Sequence, residues 1–172
     1  MTPEFSRPHR LGAAESRTVE LRANAAECAA LALRYVISGV ERLEARLTLV
    51  PETGGTTRLT GTLDADVVQE CVVTLEPVAQ RVAALLDLRI LPPGTPATDD
   101  DPDSPDEIET IGNGVDLGEV LAEQLALALD PYPRAADAAI PAELEAGPES
   151  IADDAPPDRP NPFAALSRIK RN

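Results

Sequence analysis

The sequence predicts an α+β domain: an antiparallel sheet of at least three strands, open or barrel-like, packed against two helices. Three observations predict it. Residues 42–49 alternate, with Leu43, Ala45, Leu47 and Leu49 on one face and Arg42, Glu44, Arg46 and Thr48 on the other. A period of two is the mark of a strand with one buried face. The alternation resumes after Pro51-Glu-Thr-Gly-Gly55, with Leu59, Gly61, Leu63, Ala65 and Val67 opposing Arg58, Thr60, Thr62, Asp64 and Asp66. Two such runs about a Gly-Gly turn read as an antiparallel hairpin. Finally, two stretches carry helix-start signals, Asn24 with Glu27 and Asp116 with Glu119, each spaced as a capping box.

The elements follow in order. Residues 1–16 read as an extended leader, and the domain proper spans 17–134. Residues 18–22 form a short strand on Val19 and Leu21, and a helix follows over 25–35 with Gly39 as its stop. A third long strand covers 81–90, where Val82, Ala84, Leu86, Leu88 and Ile90 share a face. Residues 92–110, rich in Pro and Asp, read as a mobile acidic loop. The second helix starts at Asp116, with Val115 placed to staple onto Val120. It runs on a stripe of Leu117, Val120, Leu121, Leu125 and Leu129, and ends at Asp130-Pro131. Residues 135–158 form an acidic, Pro- and Ala-rich disordered linker, and 159–172 a basic tail.

Composition bounds the function. The 172 residues are 43% hydrophobic but only 2% aromatic, without Trp, so Leu, Val, Ile and Ala must fill the core. The net charge of −15 is uneven: residues 92–158 hold eighteen acids and one base, Arg134, whereas the last fourteen hold four bases and no acid. Duplex nucleic acid is bound through cations that displace counterions, so a general nucleic-acid binder is excluded and a basic partner is favoured. The N-terminus lacks an apolar secretory stretch and no run approaches the about 18 apolar residues of a membrane span, which points to a cytoplasmic protein without membrane contact and with reduced thiols.

Chemistry-bearing constellations are sparse. One His (His9) and two Cys (Cys28 and Cys71) cannot supply the ligand set of a structural zinc site, and both thiols read as small buried apolar residues. The carboxylates over 98–109 lie in a proline-broken loop that cannot hold two of them in different environments, as acid–base catalysis requires. No phosphate-loop pattern surrounds the glycines. The chain reads as a non-enzyme without metal or cofactor.

The tail carries the functional expectation. Asn161 is a good N-cap and Pro162 fits the first helical position. Phe163, Leu166 and Ile169 recur three apart, with Arg168, Lys170 and Arg171 at the end where the helix dipole favours cations. About nine residues is too short for a free helix in water, so the segment needs a surface, in cis or on a partner. The candidate partner-binding set is Asn161, Pro162, Phe163, Leu166, Arg168, Lys170 and Arg171.

Three stretches, in order, give the chain a resemblance to a known family: Cys71-Val-Val-Thr-Leu-Glu-Pro-Val78; Val115-Asp-Leu with Glu123-Gln-Leu-Ala-Leu-Ala-Leu-Asp-Pro-Tyr-Pro133; and Asn161-Pro-Phe-Ala-Ala-Leu166 with Lys170. Together they resemble the YceD family of large ribosomal RNA subunit accumulation proteins. Thr74 departs from it, standing where members often have a second cysteine. The resemblance implies a cytoplasmic, non-enzymatic factor in ribosome biogenesis that supports accumulation of large-subunit rRNA. Its expected partner is a basic ribosomal or assembly protein, with rRNA within reach of the tail. The alternative is an acidic, chaperone-like holder of a free basic ribosomal protein.

Overall fold

The computed structural model describes residues 3–12, 15–97, 104–110, 112 and 114–139. The chain order is β1 (Pro8–Arg10), β2 (Arg17–Arg22), α1 (Ala25–Tyr35), β3 (Gly39–Pro51), β4 (Thr57–Glu70), β5 (Pro77–Ile90), β6 (Asp106–Ile108), β7 (Gly114–Asp116) and α2 (Leu117–Ala128). Five strands form one sheet in the order β2-β3-β4-β5-β6, and β1 pairs with β7 in a second, two-stranded sheet. The predicted hairpin is present in register, Leu47 opposite Gly61 and Leu49 opposite Leu59, and β5 continues the meander with Leu63 opposite Ala84. Leu43, Leu47, Leu59, Leu63 and Ile90 have no exposed surface, neither do Leu121 and Leu125 from α2, and Leu117 is buried beside them. The mixed α+β class is as the period-two and capping patterns require.

The barrel-like alternative is overturned: the sheet is open. Its last strand, β6, spans three residues and runs parallel to β5. The inner face is covered instead by Leu31 of α1 and Leu121 and Leu125 of α2, so the core closes through helices. The loop expected over 92–110 is partly folded as well. Leu91 donates its N–H to the Ile108 carbonyl at 2.9 Å, and the Thr110 hydroxyl donates to the Leu91 carbonyl at 2.8 Å. Residues 98–103 lie outside the described residues.

The leader is the larger correction. Residues 1–16 contain β1, and Phe5 is fully buried in the core. The segment straps the N-terminal end of α2. Leu117 donates its N–H to the Arg7 carbonyl at 3.1 Å, and Arg7 forks onto Glu27 of α1 at 2.7 and 2.9 Å, its guanidinium 4.5 Å from the Phe5 ring centre. Gly118 makes this crossing possible, because a Cβ there would overlap the Phe5 carbonyl oxygen. Neither a three-residue strand nor a lone aromatic has a period to read.

Two helix ends also differ in detail. The Asn24–Glu27 capping box forms in full, but α1 stops on Val36 in the left-handed region (φ 57°), not on Gly39, which opens β3. At α2 the Asp116 side chain caps the N–H groups of Gly118 and Glu119, whereas the Glu119 carboxylate pairs with Arg34 of α1 at 2.7 and 2.9 Å. That pair ties the two helices together, as does the Tyr35 hydroxyl, which donates to the Ala122 carbonyl at 2.8 Å. Burial there pushes the Tyr35 phenol up to about 12.

Asp116 gathers four donors: the Ser6 hydroxyl at 2.5 Å and the N–H groups of Arg7, Gly118 and Glu119 at 2.6, 3.0 and 3.3 Å. Burial alone would raise its pKa, but these donors outweigh burial and hold the carboxyl below its usual value. The stability it contributes is present above its unfolded pKa of about 3.9 and lost as pH falls through the lower folded value. Asp116→Asn puts an NH2 group where one of the two accepting oxygens stood, and is expected to cost about 1–2 kcal/mol near pH 7 and to converge on the parent in strong acid. Urea unfolding across pH checks both.

Candidate interaction site

Two of the motif stretches meet in space at one end of the sheet. β4 ends at Glu70 and the chain turns through 71–76, closed by the Cys71 N–H on the Glu76 carbonyl at 2.8 Å and the Leu75 N–H on the Cys71 carbonyl at 2.9 Å. The exit of α2 lies against this turn. Val72 donates its N–H to the Pro133 carbonyl at 2.9 Å, and the Gln69 side-chain amide donates to the Asp130 carbonyl at 3.0 Å. Asp130 caps its own exit by accepting the Tyr132 N–H at 2.9 Å. The period-two pattern of β4 produces this arrangement, since Val67, Gln69 and then Cys71 carry its buried face from the apolar core to the turn.

Cys71 has no exposed surface, as expected, yet it is not an inert apolar filler. Its Sγ accepts the N–H groups of Thr74 and Ala135, each at 3.4 Å, across 64 residues of sequence in the second case. The Thr74 hydroxyl first, then these amides, stabilise the thiolate and draw the Cys71 thiol down to about 7. Cys28, by contrast, is packed in the core, where burial and then Glu27 push its thiol up. A folded pKa below the unfolded one adds stability above the unfolded value, lost as pH falls towards 7. Cys71→Ala is therefore expected to lower the unfolding midpoint more at pH 9 than at pH 6. Cys71→Ser, which keeps an acceptor for the two amides, is expected to recover part of the loss. Thermal melts at the two pH values decide it.

The outer face of the sheet bears on RNA contact. Arg42 pairs with Asp66 at 2.7 Å, Arg58 with Asp87 at 2.7 Å, Arg81 with Asp64 at 2.9 Å and Arg22 with Glu44 at 3.2 Å. A shallow hollow of about 440 Å³ over this face is lined by both signs of charge, among them Glu20, Arg42, Glu44, Asp64 and Arg81. Exposed pairs of this kind stabilise little, but they occupy the guanidinium forks that would otherwise meet phosphate. Among the described residues no helix is long and apolar enough to cross a membrane. Nor do three or more His, Cys, Asp or Glu side chains come together there as metal ligands would.

A protein-family model described as Large ribosomal RNA subunit accumulation protein YceD matches residues 59–170, nearly two thirds of the chain. The chain belongs to the YceD family. The match takes in both stretches that meet at the 71–76 turn and extends through the tail, in line with the resemblance read from the motifs. The family is described by a role in large-subunit rRNA accumulation and not by an enzymatic activity. No curated protein and no solved structure matches the chain.

The tail residues, Asn161, Pro162, Phe163, Leu166, Arg168, Lys170 and Arg171, lie outside the described residues, as do the linker residues 140–158. Sequence reasoning missed the contacts that weld the YceD motifs together. Their one signal was the phase of Cys71, two and four residues beyond Gln69 and Val67 on the buried face.

Proposed function

We propose that this YceD-family protein supports accumulation of large-subunit rRNA by binding, as a cytoplasmic, non-enzymatic ribosome-biogenesis factor. Its acidic surfaces dock on a basic ribosomal or assembly protein. The tail, with Phe163 and Leu166 as anchors, Asn161 and Pro162 as its start and Arg168, Lys170 and Arg171 as cations, contacts that protein or rRNA. The observation that carries this reading is the reach of the family match, which runs over residues 59–170, from β4 of the folded domain into the tail. The paired guanidinium groups of the outer sheet face support it, because they favour a protein partner for the domain and leave phosphate contact to the tail. The tract of eighteen acids against one base over 92–158 also favours a second reading, a holder that shields a free basic ribosomal protein.

The test is the ratio of mature large- to small-subunit rRNA in cells lacking the protein, complemented by the full chain or by residues 1–158. The full chain is expected to restore the ratio and the truncation to leave it depressed. A ratio unchanged by deletion overturns the reading. Sedimentation separates the two versions: an assembly factor travels with pre-ribosomal particles, whereas a holder stays with free protein at the top of the gradient.

A further inference from the structure

Six of the eight large apolar side chains exposed among the described residues lie at one end of the domain: Leu33, Val36, Val72, Leu75, Leu127 and Tyr132. The topology brings them there. α1 ends beside the start of β3, where Gly39 pairs with Val68 near the end of β4, and β4 leads directly into the 71–76 turn. The exit of α2 joins the same end through the bonds of Val72 to Pro133 and of Gln69 to Asp130. The other two, Val50 and Leu85, stand apart, at the far end of β3 and midway along β5.

Backbone conformation marks the same place independently. Val36 (φ 57°) and Leu75 (φ 62°) are the non-glycine residues with positive φ among those described. Both belong to this end, and they are 89% and 72% exposed. A β-branched or bulky residue in the left-handed region is strained, and glycine would relieve it. Strain combined with exposure of an apolar side chain works against stability twice, and such sites persist where function requires the side chain. The charge around them has one prevailing sign. Glu70, Glu76 and Asp130 are exposed there with Arg134, and Arg34 is already committed to Glu4 and Glu119. The C-terminal, negative ends of both helix dipoles add to it.

We propose that this end is the domain's docking surface for a cationic, apolar-anchored segment of a ribosomal protein. Val36 and Leu75 are its projecting contacts, and a groove of about 420 Å³ between α1 and the start of β3, lined by Ala29, Leu33 and Val40, is its apolar floor. The inference rests on the reading of the protein as a binder of basic ribosomal proteins and places that contact on the domain. A few contacts that become fully desolvated at the centre of an interface carry most of its binding energy, and complementary charge around them steers the encounter.

The test uses the full chain with a photo-crosslinking residue in place of Leu75 or, separately, of Leu85, mixed with purified large-subunit ribosomal proteins. Position 75 is expected to crosslink to a Lys/Arg-rich segment of one of them, and position 85 not to. The double variant Val36→Gly with Leu75→Gly, which removes strain, is expected to melt at or above the parent temperature. It should lose at least about tenfold in affinity for the protein so identified. Crosslinks from position 75 into residues 159–172 or into a second copy overturn the proposal, as does parental affinity in the double variant. Ribosomal proteins captured only from position 85 also overturn it, while leaving the binding function standing. Capture from neither position, together with an rRNA ratio indifferent to deletion, removes both.

Discussion

Phe5→Ala is expected to lower the stability of the domain by about 3–5 kcal/mol, the range for deleting a fully buried aromatic side chain. Phe5 has no exposed surface, is packed in the main core, and lies on the strap that crosses α2. The loss would therefore combine a cavity with release of the segment that presents Ser6 and Arg7 to Asp116. Gly118→Ala is the companion test. In an ordinary helix interior alanine gains about 1 kcal/mol over glycine. Here the added Cβ overlaps the Phe5 carbonyl oxygen and meets the Phe5 carbonyl carbon at 2.8 Å, so the sign reverses and the variant is destabilised. Urea unfolding of the two single variants and the double one measures the coupling. If the strap has already been released by Gly118→Ala, Phe5→Ala adds less than its separate cost.

Gly61→Ala is the second large effect. Gly61 sits mid-strand in β4, opposite Leu47 on one side and Leu86 on the other. A Cβ built there would overlap the Arg46 carbonyl oxygen and lie 3.0 Å from the Leu47 Cα, both backbone atoms that no rotamer change can move. Glycine in a strand interior is costly by itself and marks a close backbone approach, here of β3 on β4. Accommodating even one methyl means shifting the central strands, with an expected cost of about 1–3 kcal/mol. The contrast is Gly39→Ala at the start of β3, where the nearest atom, Val68 Cβ, is 3.9 Å away. That variant is expected to fall within about 0.5 kcal/mol of the parent by the same unfolding assay.

What could be read from sequence follows the length of the periodic signal. β3, β4 and β5 are thirteen or fourteen residues each, and their alternation identifies strand, buried face and partner. Asn24 with Glu27 locates α1 because both halves of its capping box are local. Glu119 has the same spacing from Asp116, but a distant Arg34 claims its carboxylate, and local spacing cannot register such competition. β1, β6 and β7 are three residues each, too short for any period, and their partners lie far away in sequence. Val36 and Leu75 were invisible for the opposite reason: left-handed positions are read from glycine, and neither residue is one. Of the candidate site, the Cys71 and Pro133 motifs were legible as stretches. Their contact was not, because each of its bonds, Val72 to Pro133, Gln69 to Asp130 and Ala135 to Cys71, has at least one partner that is a backbone group every residue carries.

The strap has a consequence for biosynthesis. The Ser6 hydroxyl reaches Asp116 across 110 positions of sequence, and β1 finds its only strand partner, among the described residues, in β7. The β3–β4–β5 meander can assemble from neighbouring segments as they leave the ribosome, but the strap emerges well before α2 and must wait for it. Loop closure over that span slows completion of the fold. Until then Phe5 and one flank of the meander stay open to water, so the nascent chain passes through a stage in which early apolar surface is available to chaperones or to aggregation.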